Sequence, residues 1–363
     1  MRFLLATAGL LLLAGSAVAG GPTAHTLRKS AGGPIEAIAE NNGVAAWFTF
    51  NTKTKTCNVV HVLSPGKRDR TLPQPAGPGT MTCNWSLKDG QSQLAIASRM
   101  STALWTLHES GPQPVDDVLA ASYGGPERTV GSLHHTSDGT GQWLGGVAGA
   151  GRTLAYSWDD VEYVDPDGCI GGTGSCKQKI ADGGIRLVTK NSVTPLPGAE
   201  PALQLASSSG RIAYIPATIV HGNRPSATTN ATLPIVDATT GEVLGQPKVH
   251  GIPIAIALSS SVFAVLTTLA GPHDRISWFS ATDGTKLGSV LVSSFATAQL
   301  AASDQLIVYR TGRLLRDVST STGHLGKLVP TGLNTVGLSL AHGRLIWAEN
   351  HNGTGRLRAL AVG

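Results

Sequence analysis

The sequence has little charge and no familiar catalytic motif. Charged residues make up 14% of the 363-residue chain. There is no Gly-x-Ser-x-Gly nucleophile elbow, no phosphate-binding loop and no HExxH zinc motif. The basic residues are scattered, apart from "KTKTC" at 53–57 and "GKRDR" at 66–70. Because no basic stripe alternates with aromatic residues, nothing indicates nucleic-acid binding, and we interpret both clusters as solvated surface.

Long apolar segments are absent beyond the first residues, and no later segment could span a bilayer. Arg2 precedes the apolar stretch Phe3 to Ala14, which runs into an Ala-x-Ala ending. This pattern predicts a secretory signal peptide over 1–19, cleaved after Ala19. The alternative, a membrane anchor, requires about 20 apolar residues. We therefore expect a soluble protein, secreted or periplasmic, with one domain over 20–363.

Helical periodicity is also scarce, whereas glycine is abundant at 45 residues. Val, Ile and Thr are common, and strands separated by Gly-rich turns are typical of all-β proteins. The sequence therefore predicts an all-β fold.

Two elements recur along the chain. The turn "PIVDATTGEVLG" has its glycine at Gly241, and similar turns have theirs at Gly284 and Gly323. A short apolar strand also recurs seven times, and its copies start at Gly43, Ser92, Arg152, Arg211, Ser261, Gln305 and Arg344. Repeats of about 40 to 50 residues with several strands each predict a β-propeller. We assign the recurring strand to position b of seven four-stranded antiparallel blades; an eight-bladed ring and a two-sheet sandwich are the alternatives.

The two ends of the chain predict how the ring closes. The last unit, from Leu333 to Gly363, has room for only three strands, "TVGLSLAH", "RLIWAEN" and "RLRALAV". The segment "AHTLRKSA" near the N-terminus provides a spare one, about His25 to Ala31. We predict that it becomes the outer strand of the last blade, which removes an open sheet edge.

The recurring turns resemble those of known propeller repeats. "VDATTGEVLG" resembles the turns of quinoprotein-like and YVTN-type propeller repeats, and "SLKDGQSQLAIAS" and "SDGTGQWLGGV" resemble those leading into strands of TolB-like and WD40-like propellers. The resemblance implies the propeller fold over nearly the whole mature chain. Quinoprotein repeats carry a Trp soon after the turn glycine, where this chain has Leu244, Leu287 and Leu325. The resemblance therefore implies no quinone cofactor and no catalytic residue.

Two connections are unusually long. They are Asp159 to Gly184 in the third unit and Thr218 to Ala231 in the fourth, and both join strands b and c. Because they come from adjacent blades, we expect them to rise side by side over one face of the ring. Long segments on a rigid scaffold commonly carry function.

Two sets of residues could bind a metal. Asp165 and Asp167, in "DPDG", could hold calcium, although this tetrapeptide is also a favourable turn and the EF-hand pattern is absent. His134 and His135 precede the third unit, and His221 and His273 fall in b–c connections on the same predicted face. They could bind zinc or act as acid and base, or they could be ordinary surface histidines. No cofactor follows from either pattern.

Four cysteines, Cys57, Cys83, Cys169 and Cys176, occur in a chain expected to be exported. We predict nearest-neighbour disulfides, Cys57–Cys83 and Cys169–Cys176, with a zinc site as the alternative. Trp47, Trp158 and Trp347 fall in b strands, where core packing is the interpretation.

Three functions fit this sequence. The first is a monomeric, non-catalytic propeller that binds a protein, peptide or envelope ligand through the face with the long b–c connections. The second is a metal-assisted hydrolase, lactonase or lyase with its site at the mouth of the central channel. The third is a structural component of the envelope.

Overall fold

The computed structural model describes residues 23–362, apart from 30–32, 52–55, 73–92, 110–112, 123–124, 165–175, 223, 294–295 and 333. The described residues form strands and turns without a helix, as the sequence predicts. None of them belongs to a helix that could cross a membrane. The predicted signal peptide, Cys83 and Cys169 lie outside the described residues.

Thirty strands follow one another along the described parts of the chain. The first fifteen are β1 (His25–Lys29), β2 (Ile35–Asn41), β3 (Val44–Asn51), β4 (Thr56–Leu63), β5 (Arg70–Thr71), β6 (Leu94–Ala97), β7 (Thr102–Glu109), β8 (Val115–Ser122), β9 (Glu127–His134), β10 (Gly141–Ala150), β11 (Thr153–Tyr163), β12 (Gln178–Val188), β13 (Val193–Pro195), β14 (Ala202–Ser208) and β15 (Arg211–Pro216). The others are β16 (Ile219–His221), β17 (Arg224–Ser226), β18 (Ile235–Asp237), β19 (Val243–Gly245), β20 (Ile252–Leu258), β21 (Val262–Thr268), β22 (His273–Ser280), β23 (Lys286–Ser293), β24 (Ala296–Ala302), β25 (Leu306–Thr311), β26 (Leu314–Ser319), β27 (Leu325–Pro330), β28 (Asn334–Ala341), β29 (Arg344–His351) and β30 (Thr354–Ala361).

Seven four-stranded antiparallel sheets form the blades of a β-propeller. Blades 1 to 3 are β2–β5, β6–β9 and β10–β13, and blade 4 is β14, β15, β18 and β19. Blades 5 and 6 are β20–β23 and β24–β27, and blade 7 is β28–β30 with β1. Strands β16 and β17 form a separate hairpin. The predicted seven-bladed fold is confirmed.

The N-terminal strand closes the ring, as predicted. Strand β1 pairs with β30, with His25 opposite Ala359 and Lys29 opposite Arg356. A side-chain hydrogen bond of 2.8 Å from Arg358 Nη1 to Thr26 Oγ1 reinforces the pairing. Blade 7 therefore gains its fourth strand, and β1 covers the edge of β30.

One strand assignment is wrong. The apolar run beginning at Ser92 was assigned to position b of blade 2, but Leu94–Ala97 forms β6, the innermost strand. Position b is β7, where Trp105 is buried. Two short apolar strands follow each other around the turn at residues 98–101, and both fit the repeat pattern. The other six b strands are placed correctly.

The turns explain why the sequence folds into short hairpins. At the a–b turn of blade 1, Asn42 and Gly43 both have positive φ, 48° and 78°, as a two-residue type I′ hairpin requires. At the c–d turn of blade 4, Asp237 Oδ1 accepts hydrogen bonds of 2.8 Å from the backbone N–H groups of Thr239 and Thr240. Gly241 there has φ 74°. The aspartate and the glycine of the recurring turn therefore both stabilise it.

The core consists of apolar layers between neighbouring blades. Seven buried clusters occur in the described structure, one for each blade-to-blade junction. Trp47 and Trp347 belong to these layers and are buried, as predicted, while Trp158 is only partly buried beneath Arg186. Since the apolar surface is divided among the junctions, each blade depends on its two neighbours for burial.

Glutamine side chains join consecutive blades along the central channel. Gln93 Nε2 donates to the carbonyl of Gly145, Gln204 Nε2 to that of Ile254 and Gln299 Nε2 to that of Thr335. Each acceptor lies at or next to a point where the inner strand of the following blade shifts its register against strand b. The side-chain amides therefore satisfy carbonyls near these irregularities and tie blade 2 to blade 3, blade 4 to blade 5 and blade 6 to blade 7.

Candidate functional site

The described parts of the two long connections form antiparallel strand pairs that lie beside each other. In blade 3 the b and c strands, β11 and β12, are 11 residues each and stay paired as far as Tyr163 and Gln178. In blade 4 the connection folds back as β16 and β17. Strand β12 packs against β16, so the prediction that the two segments rise side by side is right. The prediction that 159–184 is one loop is wrong at both of its ends, because the strand ladder continues into it.

The d–a connection between blades 2 and 3 supports the taller hairpin. Within this connection, Asp138 Oδ2 accepts a 2.8 Å hydrogen bond from the hydroxyl of Tyr163 at the end of β11. Gln178 Nε2, at the start of β12, donates to the Asp138 carbonyl at 2.9 Å. Hydrogen bonds from the Thr136 hydroxyl and the Thr140 backbone N–H hold the pKa of Asp138 well below its usual range. The connection thus fixes both strands of the hairpin at its base.

A column of rings and one guanidinium joins residues of blades 2, 3 and 4. The imidazole of His135 stacks on Trp143 with ring centres 3.9 Å apart, and the ring of His108 is stacked with that of His135 at 6.0 Å. The Arg224 guanidinium, from the β16–β17 hairpin, lies 5.9 Å from the Trp143 ring centre. We call the ends of β11 and β12, the β16–β17 hairpin and residues 134–143 the twin-hairpin face.

Asp116 lies near both histidines of this column and is hydrogen-bonded to His108. Its Oδ1 lies 2.8 Å from His108 Nδ1, and its Oδ2 lies 3.9 Å from His135 Nδ1. His135 is only 6% exposed, and its Nδ1 has no hydrogen-bond partner within the described part of the chain. Burial lowers the pKa of His135, which outweighs the opposing effect of Asp116. The imidazole is therefore held in its neutral form and serves as an apolar platform for Trp143.

The candidate metal residues are not gathered into one site. His134 ends β9, His221 ends β16 and His273 starts β22, and all three side chains are exposed. The described residues include no group of three or more His, Cys, Asp or Glu side chains arranged to hold a metal ion. Asp165 and Asp167 lie outside the described residues, so calcium binding there stays a prediction. The two disulfides also stay predictions, since Cys57 has no described side chain and Cys83 and Cys169 fall in undescribed segments.

Asp159 lies within a strand, whereas the sequence analysis places it at the start of a connection. It lies inside β11, directly opposite Trp143 and Gly183 in the neighbouring strands. It is 1% exposed, and its Oδ1 has no hydrogen-bond partner among the described residues. Burial raises the pKa of this carboxyl to about 7. In the sequence it resembles a loop acid, because Asp160 and Glu162 follow it.

The opposite face holds a cavity of about 620 Å³ in the central channel. Polar side chains of the a–b turns ring it, and several of them form hydrogen bonds between blades. His342 Nε2 lies 3.0 Å from Asn42 Oδ1, and Asn42 Nδ2 donates to Ser98 Oγ. The hydroxyls of Ser259 and Ser260 donate to Asp304. The rim therefore stabilises the ring, and its hydrogen-bonding groups are largely occupied.

Comparisons with known proteins identify the architecture alone. No protein-family model matches the chain, and no curated protein matches it. An acylaminoacyl peptidase in complex with Z-Gly-Gly-Phe-chloromethyl ketone aligns with TM-score 0.51 and 9% identity, over 90% of this chain and 51% of that chain. A chain of a mitotic checkpoint complex aligns with TM-score 0.50 and 13% identity, over 97% and 98%. The Cps50 (Swd1) β-propeller domain of Myceliophteria thermophila aligns with TM-score 0.48 and 11% identity, over 94% and 100%. At such low identity, this likeness concerns the fold alone and says nothing about activity.

Proposed function

We propose that this protein is an exported, non-catalytic propeller that binds a protein or peptide partner through the twin-hairpin face. The observation that carries the proposal is the contact between Trp143, on β10, and Arg224, on the β16–β17 hairpin. Tryptophan and arginine are among the residues most often found at the energetic centre of protein interfaces. A rigid scaffold that presents such a pair beside projecting elements fits a recognition surface.

Three exposed aliphatic side chains lie on the same face of the ring as this pair. Val164, at the end of the β11–β12 hairpin, is 54% exposed, and Ile219, on β16, is 41% exposed. Ile252, at the start of blade 5 on the same face, is 43% exposed. Covering these side chains on binding would release water from apolar surface, while the polar residues around them would form the rim of an interface.

Export is part of the proposal and rests on the signal-peptide pattern over residues 1–19. In an oxidising compartment the pairs Cys57–Cys83 and Cys169–Cys176 would form disulfides, and the second would close a loop within the segment that joins β11 to β12. Ellman titration of protein collected outside the cytoplasm tests both points. Four reactive thiols, or a mature chain that retains residues 1–19, would contradict this part of the proposal.

The binding test starts with a partner captured from the envelope of the exporting cell and then purified. Its affinity is measured by calorimetry for the wild type and for a Trp143→Ala/Arg224→Ala variant. Truncating the central pair should weaken binding about thirtyfold or more, because such residues dominate interface energies. Circular dichroism checks that the variant keeps its fold.

The matched control changes three exposed residues on the c–d turns of the opposite face, Glu242→Ala, Lys286→Ala and His324→Ala. This triple variant should bind as the wild type does. Loss of affinity in the control with full affinity in the Trp143/Arg224 variant would contradict the proposal. Metal-dependent turnover of an ester or lactone that is lost with His134→Ala or His221→Ala would replace it with the hydrolase alternative.

A further inference from the structure

A small pocket lies where the ring closes, away from the twin-hairpin face. It has a volume of about 240 Å³. Its lining comes from four parts of the chain, which are the closing strand β1, the a–b turn of blade 1, the end of β4 with the c–d turn that follows it, and the start of β29. The cationic side chains among its lining residues are Arg28, Lys67 and Arg344. We call it the seam pocket.

Two of these cations have no acidic partner. Arg28 donates only to its neighbouring carbonyl, that of Leu27, and Lys67 makes no ion pair within the described structure. Both side chains are exposed. Isolated cations on a surface are ordinary, but two of them converging on one concave site without a counter-charge make a positive potential that favours an anion.

Arg344 adds a fixed and partly buried donor. Its Nε donates to Glu40 Oε1 at 3.0 Å and its Nη2 donates to the carbonyl of Gly43 at 3.0 Å. These bonds hold the guanidinium in place, while Nη1 has no hydrogen-bond partner among the described residues. Glu40 lies behind the guanidinium with a fully buried side chain. A guanidinium that is fixed on one side and open on the other suits an oxyanion.

The surroundings strengthen the positive charge. Lys29 follows Arg28 on β1, and Arg68 and Arg70 follow Lys67, so this edge contains most of the "GKRDR" cluster. Asp69 is the exposed acid in that segment, and it acts on His61, where it partly offsets the effect of burial on the imidazole pKa. The basic cluster that the sequence analysis interpreted as solvated surface therefore lies beside a pocket.

We propose that the seam pocket binds a phosphate group, free or as part of a larger phosphate ester, between Arg28, Lys67 and Arg344. A phosphate has the charge and the several acceptor oxygens that three cationic donors from different directions can satisfy. Since Arg28 belongs to the closing strand and Lys67 to blade 1, the bound anion links the two elements that meet at the seam.

Inorganic phosphate is the probe for the first experiment. Thermal melting and calorimetry are carried out at one pH in phosphate and in sodium chloride of equal ionic strength, so that general screening is matched. Phosphate should raise the melting temperature of the wild type, and hydrogen exchange in His25–Lys29 should slow. Arg28→Gln and Lys67→Gln should each weaken phosphate binding about tenfold, since each removes one charge-assisted bond.

Lys190→Gln is the control, since Lys190 is exposed on blade 3 far from the pocket. It should bind phosphate as the wild type does. Stabilisation by phosphate no greater than by chloride would overturn the proposal, and so would equal binding by the wild type and both pocket variants. Sedimentation with phosphatidylglycerol vesicles then distinguishes a lipid headgroup from a soluble phosphate ester. If the protein sediments with the vesicles and this depends on Arg28 and Lys67, the ligand is a lipid headgroup. If it binds inorganic phosphate but does not sediment with the vesicles, the ligand is a soluble ester.

Discussion

Asp159 shows how the environment of one side chain changes its chemistry. A carboxylate in water titrates near pH 4, but burial raises the pKa of Asp159 to about 7. Nothing in the described structure compensates the buried charge at its Oδ1. Between about pH 4 and pH 7 the folded protein therefore holds a proton that the unfolded chain has released, so this group makes stability fall as the pH rises through that window.

Replacing Asp159 by Asn should remove that contribution. The free energy of unfolding, measured with urea from pH 4 to pH 8, should depend less steeply on pH in the variant, by at most about 1.4 kcal/mol for each pH unit. Burial also raises the pKa of Glu40 to about 7, so Glu40 makes the stability of both proteins fall with pH in the same way. The difference between the variant and the wild type therefore isolates the contribution of Asp159. Parallel curves for the two proteins would rule out the buried carboxyl as a source of the slope.

The connection at 134–141 is the element that sequence reasoning undervalued. Its segment "HHTSDGTGQW" matches no enzyme motif, and the histidines in it drew attention as metal ligands. In the structure its function is positional, because Asp138 holds Tyr163 while His135 supports Trp143. A hydrogen bond between a turn and a hairpin that follows 25 residues later leaves no periodic signal, and neither does the stacking of two rings.

A Tyr163→Phe variant should loosen this hairpin alone. It removes the hydroxyl that donates to Asp138 and leaves the ring in place. Amide exchange at Glu162, Val164 and Lys179 should accelerate, while the global free energy of unfolding should change by less than about 1 kcal/mol. Exchange measured by NMR or mass spectrometry checks this.

Tyr156→Phe is the matched comparison, because it removes a hydroxyl on the same strand that lies in the core. That hydroxyl donates to the carbonyl of Val130 at 3.0 Å. Its loss should lower global stability by about 1 kcal/mol or more and leave the hairpin's exchange relative to the core unchanged. Two variants with the same profile would show that the Asp138–Tyr163 bond has no separate local effect.

The ring as a whole was predictable because the same sequence signals recur in successive blades. Turn glycines at fixed positions, such as Gly241 and Gly284, and a b strand in each unit set the number of blades. A single misassigned strand, β6, did not change that number. The candidate site occurs once, so the sequence located its face through the lengths of two insertions but could not show that Trp143 and Arg224 meet across two blades.

Removing β1 should destabilise the entire ring. A chain that begins at Gly33 lacks the strand paired with β30, and its melting temperature should fall by roughly 5 °C or more compared with a chain that begins at Thr23. The synthetic peptide "AHTLRKSA", added in excess, should recover part of the loss. Calorimetry of the two chains decides the point, and equal melting temperatures would mean that β1 contributes little to closure.

The pairing of β1 with β30 also fixes the order in which the molecule can be completed. Thr26 and Arg358 are bonded although 332 positions separate them, and β1 leaves the ribosome long before β30 exists. Because β30 is the last strand to be made, β1 stays unpaired until synthesis is nearly complete. Long-range pairing is slow, and an exposed strand edge promotes association during that time. A prematurely terminated chain would retain two open edges, one at β1 and one at its last blade, and would be distinguished from the finished molecule by its tendency to self-associate.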